Sequence, residues 1–168
     1  MISNNRNSQL LEIIEKNPGI KFRELMRATG MKNGVLSHYV NNLEKNGAVQ
    51  VKREPRQTRF FPLHITDEES KIIKALRRNT PREIIEALLV HEELNFGEIV
   101  KYVGKSPPTV SLYISHLVSD QVIELQLNQR KKTYRIKDRK SMDKIIEKYH
   151  PTGIDKLASS FEDIINSL

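Results

Sequence analysis

The sequence predicts an α+β fold, mainly helical with small β-hairpins, made of two copies of one module followed by a C-terminal amphipathic helix. Three observations point that way. First, the 168-residue chain aligns with itself without a gap at an offset of 74, pairing Phe22 with Phe96, Gly30 with Gly104, Ser37 with Ser111, Tyr39 with Tyr113 and Leu43 with Leu117. Second, each copy reads as two helical stripes, a glycine turn, a third helical stripe and two short strand-like runs. Third, Ile154, Leu157, Ala158, Phe161, Ile164, Ile165 and Leu168 fall within an arc of about 120° on a helical wheel.

Each element has its own local reason. Leu10, Leu11, Ile13 and Ile14 give a helical stripe after a possible cap at Ser8, and Asn17-Pro18-Gly19 stops it. Phe22, Leu25 and Met26 make a second short helix that ends at Gly30. Leu36, Val40 and Leu43 share one face of the third helix. Ala48 to Arg53 and Arg59 to Leu63 suit strands, with the polar Glu54 to Thr58 as the loop between them. Thr66 followed by Asp67, Glu68 and Glu69 resembles a helix cap with acids in the first turn, opening a helix to about Arg78. In the second copy Phe96 to Val103 is the second helix, and Ser106-Pro107 are cap and first residue of the third. Val122 to Leu127 and Thr133 to Ile136 form its hairpin. The corresponding domain boundaries are 1–64 for the first module, 65–83 for a bridging helix and linker, 84–137 for the second module and 138–168 for C-terminal helices.

Lys and Arg number 28 against 21 Asp and Glu, a net charge of +7 with a pI near 9.6, which favours a polyanionic partner. The absence of cysteine excludes disulfides, thiolate zinc sites and cysteine nucleophiles. His38, His64, His91, His116 and His150 show no ligand spacing, and there is no phosphate loop or nucleophile motif. Neither a metal, a cofactor nor an enzymatic activity is expected. No apolar run approaches the roughly 20 residues of a spanning helix, and the first eight residues lack a signal-peptide core, so a cytoplasmic, nucleoid-associated location without membrane contact is expected.

Helix, helix, turn, helix and hairpin is the layout of a winged helix-turn-helix module. The stretches Phe22-Arg23-Glu24-Leu25-Met26 to Gly30, Val35-Leu36-Ser37-His38-Tyr39-Val40 to Leu43, and Gly47-Ala48-Val49 resemble the helix-turn-helix core of MarR- and ArsR-type regulators. Ser106-Pro107-Pro108-Thr109-Val110-Ser111 is similar to the start of a recognition helix in that group, and the doubled array resembles tandem winged-helix transcriptional regulators common in archaea. The resemblance implies a sequence-specific regulator of transcription that binds double-stranded DNA through recognition helices and basic wings.

With Leu36, Val40 and Leu43 inward, the helical period of about 100° per residue turns Gly34, His38, Asn41 and Lys45 outward and puts Ser37 and Asn42 on the flanks. These residues, with Lys32 and Asn33 at the helix start, are the candidate DNA contacts of the first copy. Arg53, Arg56 and Arg59 of its wing are candidates for phosphates or the minor groove. The second copy offers Ser106, Thr109, Ser111, Leu112 and Ser115, and the wing cations Arg130, Lys131 and Lys132. Tyr39 and Tyr113 are read as packing residues, with a phosphate contact through the hydroxyl as the alternative. Residues 1–64 hold 11 basic and 5 acidic residues, whereas residues 84–137 hold 7 and 6, which marks the first copy as the principal reader.

The terminal stripe, with Leu157, Phe161, Ile164, Ile165 and Leu168 at its centre, needs an apolar partner. It is expected to hold a homodimer, with packing on its own chain as the alternative. A chromosome-organising or scaffold protein that uses its helix faces for protein contacts, or a non-specific nucleoid binder, is the rival functional reading. The sequence names no effector.

Overall fold

Leu10 and Ile14, one helical turn apart, are the buried anchors of α1 (Ile2–Lys16), the first element of a computed structural model that describes residues 2–149. The helix begins at Ile2 and runs through Ser8, because residues 2–7 contain no glycine or proline to stop it. After the turn at Pro18-Gly19 come β1 (Ile20–Lys21), α2 (Phe22–Thr29), α3 (Asn33–Lys45), β2 (Val49–Glu54) and β3 (Gln57–Pro62). The strands form an antiparallel sheet of order β1-β3-β2, with Lys21 and Lys52 both in register with Arg59 of the central strand.

The core of this first unit is a single cluster drawn from every element. It contains Leu10, Ile14, Ile20, Leu25, Leu36, Val40, Leu43, Val49 and Phe60, with Phe22, Met26, Tyr39 and Val51 packed against it. Each fully buried aliphatic or Phe side chain contributes about 1.5–3 kcal/mol. The Leu36, Val40 and Leu43 stripe predicted from spacing is thus the face that docks α3 on α1 and β2.

The chain divides into two compact units between Thr66 and Asp67. The second contains α4 (Asp67–Leu76), α5 (Asn79–His91), β4 (Leu94–Asn95), α6 (Phe96–Val103), α7 (Pro107–Ser119), β5 (Ile123–Asn128), β6 (Lys131–Ile136) and α8 (Arg139–Lys148). Its sheet has the order β4-β6-β5, again antiparallel. Shifted by 74, the bounds of β1, α2, α3, β2 and β3 fall on those of β4, α6, α7, β5 and β6. Residues 67–83, read from the sequence as bridge and linker, carry α4 and the start of α5. Pro81 sits in the first turn of α5, where its missing N–H costs no hydrogen bond. The inward faces of α5, α6 and α7 supply Ile84, Ile85, Leu88, Ile99, Val110, Ile114 and Leu117, all buried.

The hairpins are tighter than the sequence suggested. Strand pairing continues to Glu54 and Gln57, whose side chains are also hydrogen-bonded at 2.7 Å, leaving only Pro55 and Arg56 as the turn. In the second unit Gln129 and Arg130 form the turn, both with left-handed backbone (φ 46° and 71°), the arrangement that matches the twist of a two-residue hairpin. Lys131 and Lys132 consequently lie in β6. The two-residue strands β1 and β4 were not foreseen, being too short to show any period.

Asp138 caps α8: its Oδ1 accepts the Ser141 backbone N–H at 3.0 Å and its Oδ2 accepts the Ser141 hydroxyl at 2.7 Å. These bonds hold its carboxyl below the ordinary value. A carboxylate whose pKa is lower in the folded state adds stability above its unfolded pKa and loses that contribution as pH falls through the folded value. Asp138→Ala should therefore cost about 0.5–2 kcal/mol at neutral pH, with the penalty shrinking in acid below pH ~4, as urea unfolding at several pH values would read.

Arg59 is the second test of the fold. Expected as a groove contact, it is 1% exposed and donates from Nη1 to the Gly19 carbonyl at 2.8 Å. Flanked by β1 and β2, it holds the α1–β1 loop to the central strand. Arg59→Ala should destabilise the first unit by about 2–4 kcal/mol through the lost packing and the orphaned carbonyl. DNA affinity corrected for the folded fraction should be unchanged, since the guanidinium faces the interior.

Candidate nucleic-acid interface

The first unit presents α2, a three-residue turn and α3 as a helix-turn-helix. Gly30 ends α2 with a left-handed backbone (φ 69°) that places its N–H on the Met26 carbonyl at 2.8 Å, a turn that a Cβ would strain. Gly104 does the same in the second unit, at φ 67°. At the entry to α2 the Glu24 carboxylate accepts the Lys21 backbone N–H at 2.8 Å, and Glu98 and Asn95 form the full reciprocal cap of α6.

Along α3, Lys32, Asn33, Gly34, His38, Asn41 and Lys45 are exposed, while Ser37 and Asn42 on the flanks are half-buried. Side-chain hydrogen bonds one turn apart order this surface. Ser37 Oγ donates to Asn33 Oδ1 at 3.1 Å, and the Asn42 amide nitrogen lies 3.2 Å from His38 Nε2. His38 also meets Tyr39 edge-on, at 5.6 Å between ring centroids. Tyr39 is half-buried against the core beneath the Arg6 guanidinium, which is 5.7 Å from its ring, in keeping with a packing role. Tyr113 has the same kind of partner in Arg78, which lies 5.1 Å over its ring and donates to its hydroxyl at 3.3 Å.

The three arginines of the first wing have three different surroundings. Arg59 is buried and is withdrawn as a DNA contact. Arg53 is exposed, yet both of its terminal nitrogens bond the Glu44 carboxylate of α3, at 2.7 and 2.6 Å. That hydrogen-bonded pair lowers the Glu44 pKa and raises that of Arg53. Arg53 therefore ties the wing to the helix. Arg56, at the turn, is exposed.

In the second unit Ser106 precedes Pro107 at the N-terminus of α7, and its hydroxyl hydrogen-bonds that of Thr109 at 2.8 Å. Ser111, Leu112 and Ser115 are exposed, Thr109 is half-buried, and Arg130, Lys131 and Lys132 are exposed on the wing. The helix and wing residues are thus brought to the surface of the same fold positions as in the first unit. Their chemistry differs: Leu112 stands where His38 does, Ser115 where Asn41 does, and Ser119 where Lys45 does. Leu157, Phe161, Ile164, Ile165 and Leu168 lie outside the described residues.

Sequence reasoning missed the Arg53–Glu44 pair. Its signal is present only as two opposite charges on elements predicted to be neighbours. Among the described residues no three or more His, Asp or Glu side chains gather in a metal-binding group, and no helix is long and apolar enough to cross a membrane.

No curated protein matches the chain. Among solved structures it is similar to a conserved hypothetical protein from Chlorobium tepidum, with 19% identity, 88% of this chain and 99% of that chain covered, and a TM-score of 0.29. Residues 4–50, which run from the third residue of α1 to the second residue of β2, match the family described as winged helix-turn-helix DNA-binding.

Proposed function

We propose that the chain is a sequence-specific regulator of transcription that binds double-stranded DNA, built from two winged helix-turn-helix modules of the MarR and ArsR type and working in the cytoplasm on nucleoid DNA. The observation that carries this reading is the exposed row His38, Asn41 and Lys45 on α3, held in a stretch similar to DNA-binding winged helices. A major groove admits one helix, and Asn can pair bidentately with adenine, while Lys suits guanine or a phosphate. Lys32 and Asn33 at the start of α3, with Ser37 and Asn42, frame that row. Arg56 at the turn of the first wing, and Arg130, Lys131 and Lys132 in the second, supply phosphate contacts that position the protein without reading sequence. The first module is the principal reader. Ser106, Thr109, Ser111, Leu112 and Ser115 of the second offer hydroxyls and one apolar contact but neither an amide nor a cation.

Selection of bound fragments from random duplex DNA tests the reading: an enriched motif is expected, and its absence at low salt would leave non-specific or scaffold binding. Affinity should fall log-linearly with salt, and Arg56→Ala should reduce the slope by about 0.9. His38→Ala and Asn41→Ala should each lower the preference for specific over random DNA by about 1–3 kcal/mol. Leu112→Ala and Ser115→Ala should lower it less, and the reverse order would make the second module the reader.

The protein further acts as a homodimer held by the stripe of Leu157, Phe161, Ile164, Ile165 and Leu168. Two-fold pairing is the commonest assembly of soluble regulators and would set four modules on one operator. Light scattering should give a dimeric mass for the parent and a monomeric mass for Phe161→Glu. A monomeric parent would rule the dimer out.

A further inference from the structure

The charge of Arg53 is answered by the helix beside the wing before any DNA arrives. Its Nη1 and Nη2 donate to Oε1 and Oε2 of Glu44 at 2.7 and 2.6 Å, an end-on pair that engages both carboxylate oxygens. Those bonds hold the Glu44 carboxyl below its ordinary range, so it is ionised at neutral pH. The pair lies at solvent, with Arg53 58% and Glu44 35% exposed, and adds little stability. Its position is more informative than its energy. On the helical wheel Glu44 falls about 60° from Asn41, on the flank that also carries Ser37, so an anion borders the outward row of α3. At the offset of 74 the two charges are absent together, and neither is kept without the other.

We propose that Glu44 is a brake on sequence-independent DNA binding: it holds Arg53 on α3 and off the phosphate backbone, so that the first unit engages DNA through the row His38, Asn41 and Lys45 and through Arg56. The inference rests on the DNA reading above. Binding that ignores sequence comes from neutralised phosphates, each adding about 0.9 to the salt slope. A guanidinium paired with a carboxylate brings no net charge to a phosphate. Moving Arg53 from Glu44 to the backbone trades one charge-assisted pair for another and strands the Glu44 anion beside the DNA, so the exchange gains nothing. Arg53 then fixes the hairpin against the helix, while Arg56 at the turn makes the backbone contact.

Salt titrations of the full chain on a random-sequence duplex test the brake. Glu44→Gln should steepen the slope of log affinity on log salt by about 0.9, so that its advantage over the parent is about 3.5-fold greater at ~50 mM than at ~200 mM salt. Adding Arg53→Gln to Glu44→Gln should return the slope to the parent value, because Arg53 makes no phosphate contact in the parent. A double variant with a slope about 0.9 shallower than the parent's would mean that Glu44 aims Arg53 at a phosphate, and would overturn the brake. An unchanged slope in Glu44→Gln would overturn it too. Glu12→Gln removes the exposed partner of Lys16 on α1, 2.7 Å away, with the same change of charge. A rise there equal to that of Glu44→Gln would make the effect one of net charge alone and reject the brake. Unfolding midpoints, expected at the parent value for these exposed positions, establish that the variants compared are folded. A parent without affinity for duplex DNA overturns the DNA reading itself, whereas a parent that binds, with Glu44→Gln on the same slope, overturns only the brake.

Discussion

Burial of Leu36, Val40 and Leu43 fixes the rotation of α3 about its own axis, and what the first unit can present to a groove follows from that rotation. These three side chains pack on Leu10 and Ile14 of α1, Leu25 of α2 and Val49 of β2 in one core. A rotation by one residue would move every outward group by about 100° and expose an apolar side chain. The turn at Gly30 sets the angle at which α3 leaves α2, and Glu24 holds the N-terminus of α2. His38, Asn41 and Lys45 form a row because the core permits no other phase, and the bonds Ser37–Asn33 and Asn42–His38 restrict the rotamers on its flanks.

The wing depends on the same core through a different kind of contact. Phe60 buries one face of β3, Arg59 on the neighbouring position pins the α1–β1 loop, and Arg53 closes on Glu44. Of the three arginines in this wing, one is spent on the interior and one on the helix beside it. The surface ion pair is worth little in stability, since both partners are substantially exposed and screened by salt. Its effect is geometric, because it sets the hairpin against the C-terminal half of α3. Net charge therefore overstates what this wing presents to solvent, where Arg59 is buried, Arg53 is paired with Glu44 and Arg56 stands exposed at the turn.

The second unit repeats the backbone of the first with different outward side chains. Its glycine turn, strand registers and inward stripe reproduce those of the first, so stability constrains the two alike. Its outward positions do not reproduce them. A buried stripe must remain apolar to fold, whereas an outward face answers only to what binds it. At the offset of 74, Val118 and Leu127 stand where Glu44 and Arg53 do, so both members of that ion pair are replaced by apolar residues.

The sequence by itself determined the two helix-turn-helix segments, their glycine turns and the inward phase of the third helix in each copy. Leu36, Val40 and Leu43, and their counterparts Val110, Ile114 and Leu117, recur at a helical period within a few residues of one another, so local spacing was enough to say which side is inward. Gly30 and Gly104 were legible for the same reason, as a backbone demand met at a single position. The tertiary structure alone decided the fate of the wing cations. Arg59 is buried because β1, two residues long, lies beside it from about 40 residues earlier in the chain, and no period can reveal a strand that short. Arg53 reaches Glu44 only because the hairpin folds back on α3. Helical phase is carried by neighbours in sequence, whereas the surroundings of a long charged side chain are set by segments that meet only when the chain has packed.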